Sequence, residues 1–531
     1  MVLRSFSIGL LLPIFVTRPM LGAQRLNLSY GVLERSIAIH SLETYAKTGK
    51  ADDELSAYFQ YADKTKLPQF RQALQTPIPL NAVQVSQFLY TPIGETLLKK
   101  LGEVIQQETR TSGFYAIRAA LILAAADPKG FTLLNVLRKF PSEAITIDLV
   151  RSLALANQLK SLVNQTQDAV TFINQESKRE ANLTPIRTAT SVTNLVQAGS
   201  FKWHKQTINL DDKSRKRKFP ADIYLPQVSN PASVIVISHG LGSDRTSFAY
   251  LAEHLASYGF VVAVPEHPGS NAQQLQALLA GKANEVTSPR EFIDRPLDIK
   301  YLLDELTRLS QSNPDFQGHL NLQQVGVVGQ SFGGYTALAL AGAPINFQQL
   351  HKNCSSSNDS LNVSLLLQCL AIHLPQSTYN LSDPRVKAAI AIDPIDSSIM
   401  GQASLSQINI PVMLVAGSAD TIAPAFPEQI QPFTWLTTQN KYLSLINGGT
   451  HFSTIGESAS GGGSIPVPEQ AIGPNPALAR RYVNILSLAF FQTYVADQPS
   501  YLNYLQPSYI DTISQEPLPL SLVRLVTLAQ N

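Results

Sequence analysis

The chain has 531 residues, 44% of them hydrophobic and 15% charged, the composition of an ordinary soluble protein. That length exceeds one compact core and predicts two or three domains. Its 41 basic and 39 acidic residues leave a formal charge of +2, which excludes the strongly basic surface of a nucleic-acid binder.

The N-terminus reads "MVLRSFSIGLLLPIFVTRPMLGAQ". A short basic start precedes an apolar run, Phe6–Val16, and small residues follow with a cut site after Ala23. This pattern predicts a secretory signal peptide over 1–23, and hence export to the periplasm, cell envelope or lumen. The run is too short to span a bilayer comfortably, and "AIRAALILAAA" is interrupted by Arg118, so no transmembrane segment is expected in the mature chain. Contact with a membrane surface stays open.

Residues 24–175 read as a helical domain. Leu97, Leu98, Leu101, Val104 and Ile105 form the stripe of a one-sided helix, separated from the preceding stretch by Pro92 and Gly94. "GFYAIRAALILAAAD" is apolar nearly all round, which predicts burial on every side. A third long helix is expected over Asp148–Ile173. No titratable cluster falls in this region.

The pattern then changes. "FKWHKQTINL" and "FPADIYLP" alternate like the arms of an antiparallel hairpin, with the basic cluster "KSRKRK" (Lys213–Lys218) as its solvated turn. Six short apolar runs follow, at 233–238, 260–265, 324–329, 386–393, 411–417 and 442–446. Such runs suit strands buried on both faces. Helical patterns lie between several of them, one carrying Phe248, Leu251 and Leu255, another capped by Asp294 with Pro296 near its start. Strands alternating with helices predict a mostly parallel sheet covered on both faces.

In such sheets sites form beyond the C-terminal strand ends. After the third run comes Gly329-Gln330-Ser331-Phe332-Gly333, a G-x-S-x-G. On a sharp strand-to-helix turn, Gly329 and Gly333 leave room for the crowded backbone and the Ser331 hydroxyl stands in the open. A hydroxyl needs a base as it attacks, and histidine has a suitable pKa. A carboxylate must then hold the imidazole. His451 follows the last run and is the base by elimination among nine histidines. Asp420 follows the fifth run and is the preferred acid; Asp393, ending the fourth, is the alternative. The N–H of Phe332 and that of Leu241, in the "HGLG" turn with Gly240 and Gly242, are the expected oxyanion donors. Neither the two cysteines nor any other spacing suggests a metal site, and the chemistry requires no cofactor. Cys354 and Cys369 either bridge or remain two buried thiols.

"VISHGLGSDRTSFAYLAEHLASYGFVVAVPEHPGSNA", "GQSFGGYTALAL" and "FIDRPLDIKYLLDEL" resemble the corresponding stretches of platelet-activating-factor acetylhydrolases and bacterial dienelactone-hydrolase-like proteins. The helical region resembles a domain of unknown function found before such hydrolases in photosynthetic bacteria. The resemblance implies an α/β-hydrolase fold, with Ser331 as nucleophile, His451 as base, and Leu241 and Phe332 as donors. It splits on the acid: the acetylhydrolase branch points to Asp393, most other α/β-hydrolases to Asp420. Gln330 departs from the acetylhydrolase branch, which has histidine before the serine, and is not expected to touch the reacting carbonyl. The implied substrate is a small-molecule or lipid ester, such as a short-acyl phospholipid. Lactonase or peptidase action and a non-catalytic scaffold are the alternatives.

The expected organisation is a hydrolase domain over 176–500, with an insertion at 343–383 and a C-terminal tail over 501–531. The insertion and the glycine- and proline-rich segment at 456–476 are candidate pocket walls. Oligomeric state is not legible.

Overall fold

A computed structural model describes residues 22–183, 195–355, 362–457 and 469–526. The expected signal peptide lies almost wholly outside the described residues, as does the middle of the segment after His451. The chain divides into two compact units, one reaching Leu155 and the other running from Ala156 to the end, with Thr91–Ile93 assigned to the second.

The first unit is not purely helical. Strands β1 (Arg25–Tyr30), β2 (Leu33–Ala38), β3 (Ile105–Gln107) and β4 (Ala144–Asp148) form a sheet in the order β2-β1-β4-β3. Only β1 and β4 pair in parallel. Helices including Ile39–Thr48, Pro92–Val104 and Phe114–Ala125 accompany it, and Leu42, Tyr45, Leu98, Ile117 and Ile145 share its core. The helix Phe114–Ala125 is not buried all round: Tyr115 and Leu123 are exposed, while Ala116, Ile117, Ala120 and Ala124 face inward. Its alanines let it pack closely on one side only.

The helix Leu149–Leu183 begins in the first unit and continues in the second. Within the second, the Asn174 amide donates to Asn447 Oδ1 at 3.0 Å and Asn174 Oδ1 accepts from Ser521 at 2.7 Å. These bonds tie the helix to the sheet edge, and the change of unit, between Leu155 and Ala156, falls 20 residues before the expected boundary at 175.

The second unit is built on nine strands: β5 (Trp203–Asp212), β6 (Arg217–Pro226), β7 (Ala232–Ser238), β8 (Val261–Pro265), β9 (Leu320–Gln330), β10 (Val386–Ile392), β11 (Val412–Gly417), β12 (Lys441–Ile446) and β13 (Leu520–Val523). Their order is β13-β12-β11-β10-β9-β7-β8-β6-β5. The six strands from β8 to β12 in that order are parallel, and the outer ones pair antiparallel. Alternation along each strand divides the core. Ile235 and Ile237 pack with the helices Ala249–Ser257 and Pro476–Tyr494, while Val234 and Val236 pack with Glu291–Ser312 on the other face. Each such fully buried valine or isoleucine contributes roughly 1.5–3 kcal/mol.

Two expectations are corrected here. The C-terminal residues are not a tail: Pro507–Ile513 is a helix and β13 pairs with β12, because alternating Leu520 and Leu522 complete the core under Tyr482. The turn between β5 and β6 is not simply solvated. Arg215 pairs with Asp212, Asp294 and Asp298, and Arg217 with Glu291 and Asp298. Those four carboxylates lie buried, and the two guanidiniums offset part of their charge.

Cys354 and Cys369 form a disulfide with Cα atoms 5.6 Å apart, closing part of the insertion between β9 and β10. No helix among the described residues is long and apolar enough to cross a membrane.

Candidate active site

The sequence-predicted residues follow the C-terminal ends of neighbouring strands; His451 meets Asp420 there, and no hydrogen bond joins Ser331 to His451 among the described residues. Ser331 follows β9, Asp393 follows β10, Asp420 lies beyond β11 and His451 beyond β12. All four are buried.

Ser331 has φ 56° and ψ −115°, between β9 and the helix Phe332–Leu340. A non-glycine residue there carries strain of order 1–3 kcal/mol. Its N–H donates to the Ile392 carbonyl at 2.8 Å, which pins the turn to β10. A side chain on Gly329 would collide with the Gly333 carbonyl, and one on Gly333 with that of Ser238. The turn therefore requires both glycines.

The "HGLG" turn lies against this one. Gly242 has φ +71°, and its N–H donates to the Ser270 carbonyl at 2.8 Å. A side chain on Gly240 would strike the Gln330 side-chain oxygen. The N–H groups of Leu241 and Phe332 donate to no acceptor among the described residues. His239 lies behind the turn, with Nδ1 2.8 Å from the Gly240 carbonyl and Nε2 accepting from the His267 N–H at 3.1 Å. Burial, and then the nearby Arg295 charge, push its pKa down to about 4, so it is neutral.

His451 Nδ1 lies 2.6 Å from Asp420 Oδ2. The other oxygen of Asp420 accepts from the N–H groups of Ile422 and Ala423, at 2.7 and 2.8 Å, which aims the carboxylate. Burial opposes charge on His451, but the charge and hydrogen bond of Asp420, with a smaller effect of Asp393, outweigh it and hold the imidazole above its ordinary pKa. Asp393 behaves differently. It has φ 43°, and Oδ1 accepts from the Gly417 N–H at 2.8 Å. Burial, and then the charge of Asp420, push its carboxyl well above the usual range. Among the described residues the carboxylate that accepts from His451 Nδ1 is Asp420 and not Asp393.

Donor atoms of Asp393, Asp420 and His451 lie within 4.8 Å of one another, the only such carboxylate–histidine group among the described residues. Two of the three are already engaged in the Nδ1–Oδ2 hydrogen bond, which suits an acid–base pair better than a cation.

The role of Gln330 in holding the site together is not legible in the sequence. Gln330 Nε2 donates to the His451 carbonyl at 3.0 Å, linking the serine turn to the histidine loop. Its position before the serine was visible; its reach across two strands was not.

The family described as "Alpha/beta hydrolase of unknown function (DUF1400)" matches residues 22–148, and the family described as "Chlorophyllase" matches residues 191–354. Among curated proteins, Cutinase est1 of Thermobifida alba is 22% identical over 54% of this chain and 68% of its own length. Cutinase 2 of Thermobifida cellulosilytica is 22% identical over 57% of this chain and 86% of its own, and Cutinase cut1 of Thermobifida fusca 22% over 57% and 71%. With the mostly parallel, helix-covered sheet, these matches identify an α/β-hydrolase fold.

Proposed function

We propose that the protein is a serine hydrolase of carboxylic esters, with Ser331 as nucleophile, His451 as base and Asp420 as acid. The observation that carries this reading is the 2.6 Å pairing of His451 with Asp420 on a loop tied through Gln330 to the strained Ser331 turn. The likeness to cutinases supports ester cleavage.

Asp420 occupies Nδ1, so Nε2 is the nitrogen left to take the Ser331 proton. Oγ then bonds to the ester carbonyl carbon, and the carbonyl electron pair moves onto oxygen. The N–H groups of Leu241 and Phe332 stabilise that oxyanion. On collapse the alcohol leaves with the proton from His451. Water, losing a proton to the same imidazole, then releases the acid and restores Ser331.

Substrate class and location belong to this proposal. The acetylhydrolase-like motifs favour a small or short-acyl ester, phospholipid esters included. The Cys354–Cys369 disulfide favours an oxidising compartment, as export would provide. The expected organisation, an accessory N-terminal unit before a hydrolase unit, is retained with the boundaries of the fold described above. A panel of p-nitrophenyl and phospholipid esters tests the reading. Turnover is expected for wild type and a loss of roughly 10³-fold or more for Ser331→Ala; a folded wild type inert on every ester, or an unimpaired Ser331→Ala, would contradict it.

A further inference from the structure

We propose that Arg295 is a positioning residue that holds the backbone amides of Leu241 and Phe332 in one fixed geometry; the inference rests on the serine-hydrolase reading above. Arg295 extends from the helix Glu291–Ser312 and is wholly buried. Burying a guanidinium is costly unless its donors are satisfied, and a buried cation ordinarily pairs with a carboxylate. Here the nearby Glu291 and Asp298 are engaged by Arg217, and Arg295 makes no ion pair among the described residues. Its donors go instead to neutral oxygens of two turns.

The first is the turn bearing Leu241. Arg295 Nη2 donates to the His239 carbonyl, immediately before Gly240. Nη1 donates to Ser270 Oγ at 2.6 Å, and the Ser270 carbonyl accepts the Gly242 N–H at 2.8 Å. The peptide of Leu241 is thus bracketed on both sides by groups fixed to one guanidinium. The second is the helix that begins at Phe332. Nε donates to Thr336 Oγ1 at 3.2 Å, and Thr336 Oγ1 in turn donates to the Phe332 carbonyl at 2.9 Å. The guanidinium carbon lies 4.7 Å from the centre of the Phe332 ring.

A planar fork of five donors can make these contacts together; an ammonium cannot. Burial lowers the Arg295 pKa to about 9, which leaves it cationic at neutral pH. Oxyanion donors act by being aimed before the charge develops. A side chain bonded to both turns fixes the separation of the two amides while touching neither substrate nor base.

Arg295→Lys keeps the charge and removes the fork; Thr336→Val removes only the link to Phe332 and guards against a misfolded first variant. In folded Arg295→Lys, kcat on p-nitrophenyl acetate is expected to fall roughly 10²-fold with KM within about threefold. Affinity for phenylboronic acid, which forms a tetrahedral adduct on the serine, is expected to fall by a similar factor. The pH midpoint set by His451 should stay in place, since the base is not what moves. Thr336→Val is expected to show the same pattern at a smaller size. A folded variant with wild-type kcat and boronate affinity, beside an active wild type, overturns this inference alone. A wild type that neither hydrolyses esters nor binds the boronate overturns the serine-hydrolase reading and this inference with it.

Discussion

The side-chain amide of Gln330 donates a hydrogen bond to the main-chain carbonyl of His451 across 3.0 Å, and its oxygen rests against Gly240. One side chain, next to Ser331 in sequence, therefore links the serine turn to the His451 loop and to the turn bearing Leu241. Leaving a buried carbonyl unpaired costs about 1–3 kcal/mol. Gln330→Ala is expected to lower kcat on p-nitrophenyl acetate roughly tenfold with little change in KM, because the loss is in alignment. Wild-type kcat in that variant would show that the His451 loop holds its place unaided.

Asp420 and Asp393 should separate on substitution. Asp420→Asn loses the charge facing His451 and is expected to reduce kcat by roughly 10³–10⁴-fold. Burial, and then the charge of Asp420, hold Asp393 well above the usual carboxylate range, and asparagine reproduces its shape. Asp393→Asn should therefore cost less than about tenfold. Steady-state kinetics of the two variants decide it, and the reverse ranking would transfer the acid's role to Asp393.

The pH profile follows from the raised pKa of His451. The base must be neutral, so kcat/KM should rise with pH through a midpoint above the ordinary value of about 6.5. In Asp420→Asn the opposing burial remains while the supporting charge is gone, so the midpoint should fall. Stability carries the opposite sign. The contribution of His451 is fully present below its unfolded pKa and is lost as pH rises through the folded one. A wild-type midpoint below 6.5 would contradict the pairing.

The disulfide makes a thermodynamic prediction. Cys354 and Cys369 are separated by 15 positions, and closing such a loop restricts the unfolded chain by about 3 kcal/mol. Reduction, or Cys354→Ser with Cys369→Ser, should lower the urea midpoint accordingly. Because the bond lies in the insertion and not among the reacting groups, kcat should change less than stability. An unchanged midpoint would show that the insertion is fixed by its packing alone.

Much of this was written locally. The six apolar runs are strands because each carries enough apolar side chains, Val, Ile and Ala in most and Leu in the last, to be buried on both faces, and Ser331 and His451 follow two of them. What was hidden depends on distant partners. "RLNLSY" and "LERSIA" are short and only weakly alternating, and become strands by pairing with each other and with β4. "LSLV" is four residues long and is a strand only because β12 offers an edge. Arg215 and Arg217 look solvated until the helix Glu291–Ser312 brings its carboxylates over them. The contacts of Gln330 and Arg295 are of the same kind, made by single side chains that reach across the sheet.

Whether Ser331 is an activated nucleophile is read by mass spectrometry after treatment with a fluorophosphonate. Wild type is expected to carry one adduct, on the peptide that contains Ser331, folded Ser331→Ala none, and His451→Ala to label slowly. A folded wild type that takes up no label, or a Ser331→Ala variant labelled as fast as wild type, would contradict that role.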